Sequence, residues 1–233
     1  MIAERIMVNG RWPLMLPPHR AARPEWPWWE AGRLAAMSHV IRSGMHVVDV
    51  GAEEGDFPAL FASWGATVTL IEPNPHVWPC IRYTWEANDL PAPAGMHVVL
   101  CGDTATDAAE PDAGGTGPDG WPQCSRWPMV PDHGFRHLWE HGGTNTPVTT
   151  LDCLSLAPDV LTMDVEGGEL AVLRGATRTL REHRPTVFVS IHAEFLADLY
   201  GQHPDEVLAL MESLGYTATY LCSDHEAHWM FTP

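Results

Sequence analysis

The chain has 233 residues and a formal net charge of −17, from 30 acidic and 13 basic side chains. Every one of the 13 cations is an arginine, and there is no lysine. That composition excludes Schiff-base chemistry on a lysine amine, a GK[ST] phosphate loop and a lysine general base, and it argues against duplex nucleic acid or an anionic membrane surface as partner.

Residues 1–45 are rich in Trp and Pro, with a helix expected from Glu30 to Ile41; they read as a cap whose tryptophans are packing anchors. HVVDV at 46–50 reads as the first strand of the main body. The helix that follows presents Phe57, Leu60, Phe61 and Trp64 on one face, with Asp56 as N-cap and Gly65 as stop. TVTLI at 67–71 is a second strand, and Asn74-Pro75 opens a helix that turns Val77, Ile81 and Trp85 inward. HVVL at 97–100 reads as a third strand.

Residues 103–147 are dense in Gly, Pro and Asp and read as a long loop insertion. Within it His133, His137 and His141 stand at i, i+4 and i+8, a polar stripe or a metal-chelating pair. The rhythm resumes with VLTMD at 160–164 as a fourth strand. One helix from Gly168 to Glu182 would bury Leu170, Leu173, Ala176 and Leu180. TVFVSI at 186–191 is the fifth strand, and a helix from Pro204 to Leu214 buries Val207, Met211 and Leu214. The tail reads as two strands joined by a polar turn, an antiparallel close to the sheet. Strands alternating with helices imply a doubly wound α/β fold, with the body spanning 46–233.

Five scattered cysteines without a CxxC fit no disulfide framework and point to a reducing cytoplasm. The first 20 residues hold no apolar run of signal-peptide length, and no stretch reaches the roughly 18 apolar residues of a membrane span.

In such a sheet ligands gather beyond the carboxyl ends of the strands. The first strand ends in Asp49-Val-Gly51-Ala-Glu-Glu-Gly55, whose D-x-G-x-x-x-G spacing is not the dinucleotide fingerprint. An acid there suits an amino-acid tail better than a pyrophosphate. The second strand ends in Glu72, placed to accept hydrogen bonds from ribose hydroxyls, with Asn74 beside it. Together these point to an adenosyl ligand with an amino-acid moiety, S-adenosylmethionine. The fourth strand carries Asp164 and Glu166, and the fifth ends at His192 and Glu194. Two chemistries suit that group. His192 can act as general base towards an acceptor hydroxyl, or Asp164, Glu166, His192 and Glu194 can hold Mg²⁺ or Mn²⁺. Glu166 also suits the dipole of the helix that follows.

VVDVGAEEG, LIEPNP, TPVTTLDCL, DVLTMDVEGGELAVLRGA and RPTVFVSIH, in that order from about Ser43 onward, resemble the FkbM family of S-adenosylmethionine-dependent methyltransferases. The resemblance implies a class I methyltransferase (Rossmann-like) fold, a mostly parallel seven-stranded sheet with an antiparallel last strand. It implies O-methylation of a sugar, glycan or natural-product hydroxyl. On these positions Asp49, Gly51 and Gly55 would form the cofactor loop, Glu72 would hold the ribose, and Asp103 would lie near the adenine. Asp164 and Glu166 match the family's acidic strand-end motif. Glu53 and Glu54 depart from the Ala-Asn-Ile-Gly common in that loop, and Thr162-Met163 replace a lysine often found before Asp-Val-Glu-Gly.

Other readings are a cofactor-binding subunit without turnover and a methyltransferase on another small-molecule nucleophile. Base-amino methylation of nucleic acid is disfavoured because DVEG stands where an NPPY-type loop is needed, and the missing lysines exclude the lysine-tetrad ribose methyltransferases. Pairing of identical chains stays open.

Overall fold

The computed structural model describes residues 2–105, 117, 119–122 and 147–233. The expected histidine stripe at His133, His137 and His141 lies outside the described residues, as does most of the 103–147 insertion.

The chain opens with a hairpin, β1 (Glu4–Val8) and β2 (Trp12–Leu16), paired antiparallel. Its signal is Asn9-Gly10 between two apolar runs; both residues take positive φ, 51° and 65°, as a tight hairpin turn requires. A short helix α1 (Pro18–Ala21) and then α2 (Ala31–Val40) follow.

The body then alternates. Strand β3 (His46–Val50) leads to α3 (Asp56–Ser63), β4 (Thr67–Ile71) and α4 (Trp78–Ala87). Asp56 is the first residue of α3 and not its cap. The cap position is Gly55, at φ 86°, and the Asp56 side chain is engaged elsewhere. Helix α4 starts at Trp78, later than Asn74-Pro75 suggests, and buries Trp78, Ile81 and Trp85. Each such side chain stabilises the fold by roughly 1.5–3 kcal/mol.

The expected third strand divides in two. β5 (Gly95–His97) joins the main sheet, while β6 (Leu100–Cys101) pairs with β7 (Val148–Thr149). After α5 (Leu151–Leu154) comes β8 (Val160–Met163). The helix expected over 168–182 is two, α6 (Glu169–Arg174) and α7 (Thr177–His183). The residue between them is glycine because the backbone of Gly102 passes close: a Cβ at 175 would lie 2.0 Å from the Gly102 carbonyl oxygen. Leu170, Leu173, Ala176 and Leu180 are nevertheless all buried, so the apolar face continues across the break. β9 (Thr186–Ile191), α8 (Ala193–Tyr200), α9 (Pro204–Ser213), β10 (Thr217–Ser223) and β11 (Ala227–Thr232) complete the chain.

The seven-stranded sheet has the order β10-β11-β9-β8-β3-β4-β5. The β9-β8-β3-β4-β5 neighbours are parallel; β11 runs antiparallel to both β9 and β10. The order reverses between β3 and β8, and a crevice opens there beyond the strand ends.

Alternation along the strands splits the core into two layers. Val48, Val50, Leu161 and Met163 face one layer, which α6, α7 and α9 help to cover. Val47, Val160 and Phe188 face the other, shared with α2, α3, α4 and the hairpin. Asp49 and Thr162 are register partners on this second face, so buried polar groups sit in the sheet directly beneath α2.

No helix among the described residues is long and apolar enough to cross a membrane.

Candidate active site

A cavity of about 320 Å³ lies over the carboxyl ends of β3, β4 and β8, inside the range of small-molecule sites, roughly 300–1,000 Å³. Its walls come from the β3–α3 loop, the ends of β4 and β8, His192 after β9, the β10–β11 turn, and the segment from Arg20 to Arg33.

Gly51, at φ 84°, lets the β3–α3 loop press against the end of β8; a Cβ there would lie 1.9 Å from the Asp164 carbonyl oxygen. The two acids unexpected in this loop have partners from the N-terminal segment. Arg20, buried, donates from Nη1 and Nη2 to the two carboxylate oxygens of Glu53 at 3.0 Å each, and from Nη2 to Asp56. His19 Nε2 lies 2.6 Å from Glu54 Oε2. A buried guanidinium thus offsets a cluster of acids that would otherwise repel one another.

Asp49 and Glu72 are buried carboxylates lining the same cavity. Glu72 Oε2 accepts from the Glu53 N–H (2.9 Å) and Oε1 from the Asn74 N–H (2.7 Å). Each oxygen keeps a lone pair for a ligand hydroxyl. Burial dominates both groups. It pushes Asp49 up to about 8, against the pull of Arg33, and Glu72 up to about 8, against its two backbone hydrogen bonds.

Asp164 stands just past β8, beside the end of β3, its N–H donating to the Val50 carbonyl at 3.0 Å. Arg33, from α2, donates from Nη1 to Asp164 Oδ2 (3.1 Å) and to Glu30 Oε2 (2.6 Å), and from Nη2 to Thr162 Oγ1 (3.2 Å). His192 Nε2 lies 3.5 Å from Asp164 Oδ1. Burial opposes ionisation of Asp164, but Arg33 and His192 outweigh it and hold the carboxyl below its usual range. His192 in turn is oriented by Glu169, whose Oε1 is 2.8 Å from Nδ1. Burial disfavours the imidazolium, yet the Glu169 hydrogen bond and the charges of Asp164, Glu169 and Glu166 hold His192 up to about 9. Glu166 sits in the left-handed region (φ 53°) and lines the cavity, its carboxyl raised by burial.

A family model described as the methyltransferase FkbM domain matches residues 49–218 of the 233. The chain belongs to the FkbM methyltransferase domain family.

The architecture agrees. The FkbM methyltransferase from Methylobacillus flagellatus superposes with a TM-score of 0.50 at 18% identity, over 81% of this chain and 43% of that one. The chain therefore spans less than half the length of that protein. The precorrin-6y C5,15-methyltransferase from Geobacter metallireducens gives 0.51 at 11% identity, covering 86% of each chain. The ribosomal protein L11 methylase from Lactobacillus delbrueckii gives 0.50 at 7% identity, covering 86% and 76%. At these identities the likeness is one of fold, and a fold does not select an acceptor. No curated protein matches the chain.

Of the residues expected in an FkbM-type site, Asp49, Gly51, Glu72, Asn74, Asp164, Glu166 and His192 all line the one cavity. Three do not. Gly55 faces α4, where a Cβ would lie 3.1–3.3 Å from Ile81, so it serves packing. Asp103 is exposed, and Val99, Leu100 and Cys101 line the cavity on that side. Glu194 is exposed in the first turn of α8 and lies outside the cluster of Asp164, Glu166 and His192, whose ligand atoms come within 4.8 Å of one another. Sequence reasoning missed Arg20, Glu30, Arg33, Glu169 and Glu226. Only Glu169 carries a local sign, as the last acid of DVEGGE. Trp29 is also no mere anchor: it lines the cavity, with its ring 5.3 Å from that of His225.

Proposed function

We propose that the protein is an S-adenosylmethionine-dependent O-methyltransferase acting on a hydroxyl of a sugar, glycan or natural product. The observation that carries this reading is the joining of Asp49, Glu72, Asp164 and His192 in one cavity of an FkbM domain.

The residues present fit the cofactor. A cavity with more acids than cations suits a ligand bearing a sulfonium and an ammonium. Glu72 offers two acceptor oxygens already aimed by backbone N–H groups, the chemistry a ribose diol requires. Asp49 and the Gly51 turn would take the amino-acid end, with Asn74 beside the ribose. The cofactor, when bound, supplies an electrophilic methyl on a sulfonium.

The acceptor side belongs to Asp164 and His192. An alcohol is a weak nucleophile until a base takes its proton in the transition state. His192 Nε2 is that base in this reading. Glu169 fixes the ring and stabilises the imidazolium that forms, as the carboxylate of a catalytic triad does. Asp164, held by Arg33, would orient the hydroxyl, and orientation itself supplies much of the rate. A charge of −17 without lysine supports a neutral, hydroxyl-rich acceptor over a nucleic acid or a membrane surface.

The grouping of Asp164, Glu166 and His192 supports a second reading, Mg²⁺ or Mn²⁺ as the activator in place of the free imidazole. Exhaustive EDTA treatment separates the two: the base reading predicts unchanged turnover.

The test of function is methyl-labelled S-adenosylmethionine offered with hydroxylated sugars, glycans and polyols, with amines and nucleic acid alongside. The expected product carries the label on oxygen. Label on nitrogen alone would overturn the O-methylation, and cofactor binding with no transfer to any acceptor would favour a subunit without turnover.

A further inference from the structure

Beside the cavity lies a second group of side chains that the methyl-transfer reading does not use. Glu30, Glu226 and His228 are all buried, at 3%, 5% and 0% exposure, and each offers a ligand atom within 4.8 Å of the others. His228 projects from β11 opposite Ser190 of β9 and engages Ser190 Oγ through Nδ1 at 3.0 Å. That contact fixes the ring and leaves Nε2 facing the two buried carboxylates, with the more exposed Asp224 Oδ2 also 3.9 Å away. Nε2 has no hydrogen-bond partner, although it is wholly buried. It lies 3.8 Å from Glu226 Oε1 and 3.9 Å from Glu30 Oε2, too far for hydrogen bonds.

The two carboxylates differ: Glu30 Oε2 accepts from Arg33 Nη1 at 2.6 Å, whereas Glu226 Oε2 has no hydrogen-bond donor. Arg33 divides its guanidinium between Glu30 and Asp164. His225 Nε2 is 2.8 Å from Glu226 Oε2, yet no contact at that oxygen meets hydrogen-bond geometry. A wholly buried imidazole nitrogen without a partner, facing a buried carboxylate oxygen that also lacks one, is a costly arrangement that a cation between them would relieve.

We propose that Glu30, Glu226 and His228 bind a divalent transition ion of the zinc or manganese kind. Ligand atoms about 2 Å from a tetrahedral ion stand roughly 3.3 Å apart, so the 3.8 and 3.9 Å separations need to close by only about half an ångström to hold one. One imidazole with two carboxylates selects a borderline ion over calcium or magnesium, which prefer all-oxygen shells. The Ser190 contact is the outer-shell support that metal-bound histidines usually have. Glu30 and Glu226 also line the cavity, so the ion would keep open positions facing a ligand. Binding of the ion does not depend on the methyltransferase reading.

The experiment is titration of chelator-stripped full-length protein with Zn²⁺ by calorimetry and with Mn²⁺ by electron paramagnetic resonance, with no cofactor or acceptor present. One ion per chain is expected. His228→Ala and Glu226→Gln should weaken binding at least about 100-fold, and Ser190→Ala about 10-fold, while Asp164→Asn retains it. Circular dichroism and thermal melts check that each variant folds. If His228→Ala does not, the near-isosteric Glu226→Gln and the small Ser190→Ala change decide. The absence of saturable binding by the wild type would overturn the site. So would binding untouched by Glu226→Gln and Ser190→Ala, and so would an ion lost in Asp164→Asn, which would belong to the Asp164, Glu166 and His192 group. Each of these results leaves cofactor binding and methyl transfer to be read separately.

Discussion

Arg33 and Asp164 are 131 residues apart in sequence and 3.1 Å apart in the fold. The pair joins the N-terminal segment, which precedes the matched FkbM region, to the strand end where the acceptor would bind. Arg33 is buried at 2% exposure, with Glu30 on one side and Thr162 beneath it.

Removing that cation should be expensive. Arg33→Met leaves Glu30 and Asp164 without the guanidinium between them, Asp164 keeping only His192 at 3.5 Å. Breaking a buried pair from one side costs about 3–5 kcal/mol, which for a chain of this size is a fall in Tm of roughly 10 °C. Thermal melts of the ligand-free protein measure it, and a change of about 1 °C or less would show that the guanidinium is not the charge partner.

Arg20 and Asp56 provide a second check on the same segment. Arg20→Met and Asp56→Asn should couple by about 1–3 kcal/mol in a double-mutant cycle, since the two side chains touch. Because the Glu53 N–H donates to Glu72, loosening this loop should also weaken cofactor binding. Additive stability effects would refute the pairing.

The pH dependence has a definite sign. Asp49 and Glu72 are raised from 3.8 and 4.5 to about 8, and His192 from 6.5 to about 9. A raised folded-state value gives stability that is complete below the unfolded value and is lost as pH rises through the folded one. For the two carboxyls that window runs from about pH 4 to 8, and for His192 from about 6.5 to 9. The ligand-free protein should therefore lose Tm, by about 5 °C or more, between pH 6 and pH 9. Asp49→Asn combined with Glu72→Gln should flatten the slope. A Tm that rises over this range would contradict the burial argument.

In the active site, Asp164→Asn should lower kcat by at least about 100-fold with little change in cofactor affinity. Turnover of the wild type should rise with pH along a limb at or below about 9, since His192 must be neutral to take a proton. Glu169→Gln should move that limb acidward by about one unit or more and lower the plateau, a signature of a positioning residue. A limb that stays in place would show that Glu169 does not set the basicity of His192.

Much of this was legible in the sequence because period and punctuation are local. HVVDV, TVTLI and TVFVSI became strands with the stated bounds. Doubly wound topology then brings the strand ends together, so Asp49, Glu72, Asp164 and His192 meet at one cavity. What sequence reading lost depends on distant partners. Residue 175, between two helices where one was expected, must be glycine because the Gly102 backbone passes close by. Glu194 faces out because α8 begins directly after His192. Arg20 and Arg33 look like ordinary arginines until folding carries them onto the acids of another segment.

In the proposed function Asp49 and Glu72 hold S-adenosylmethionine. Calorimetric titration of the cofactor into wild type, Asp49→Ala and Glu72→Ala tests it most directly. Wild type should show saturable one-site binding, and each variant an affinity at least about 10-fold weaker, the worth of about one hydrogen bond. No saturable heat with wild type, or equal affinity in all three proteins, would contradict it.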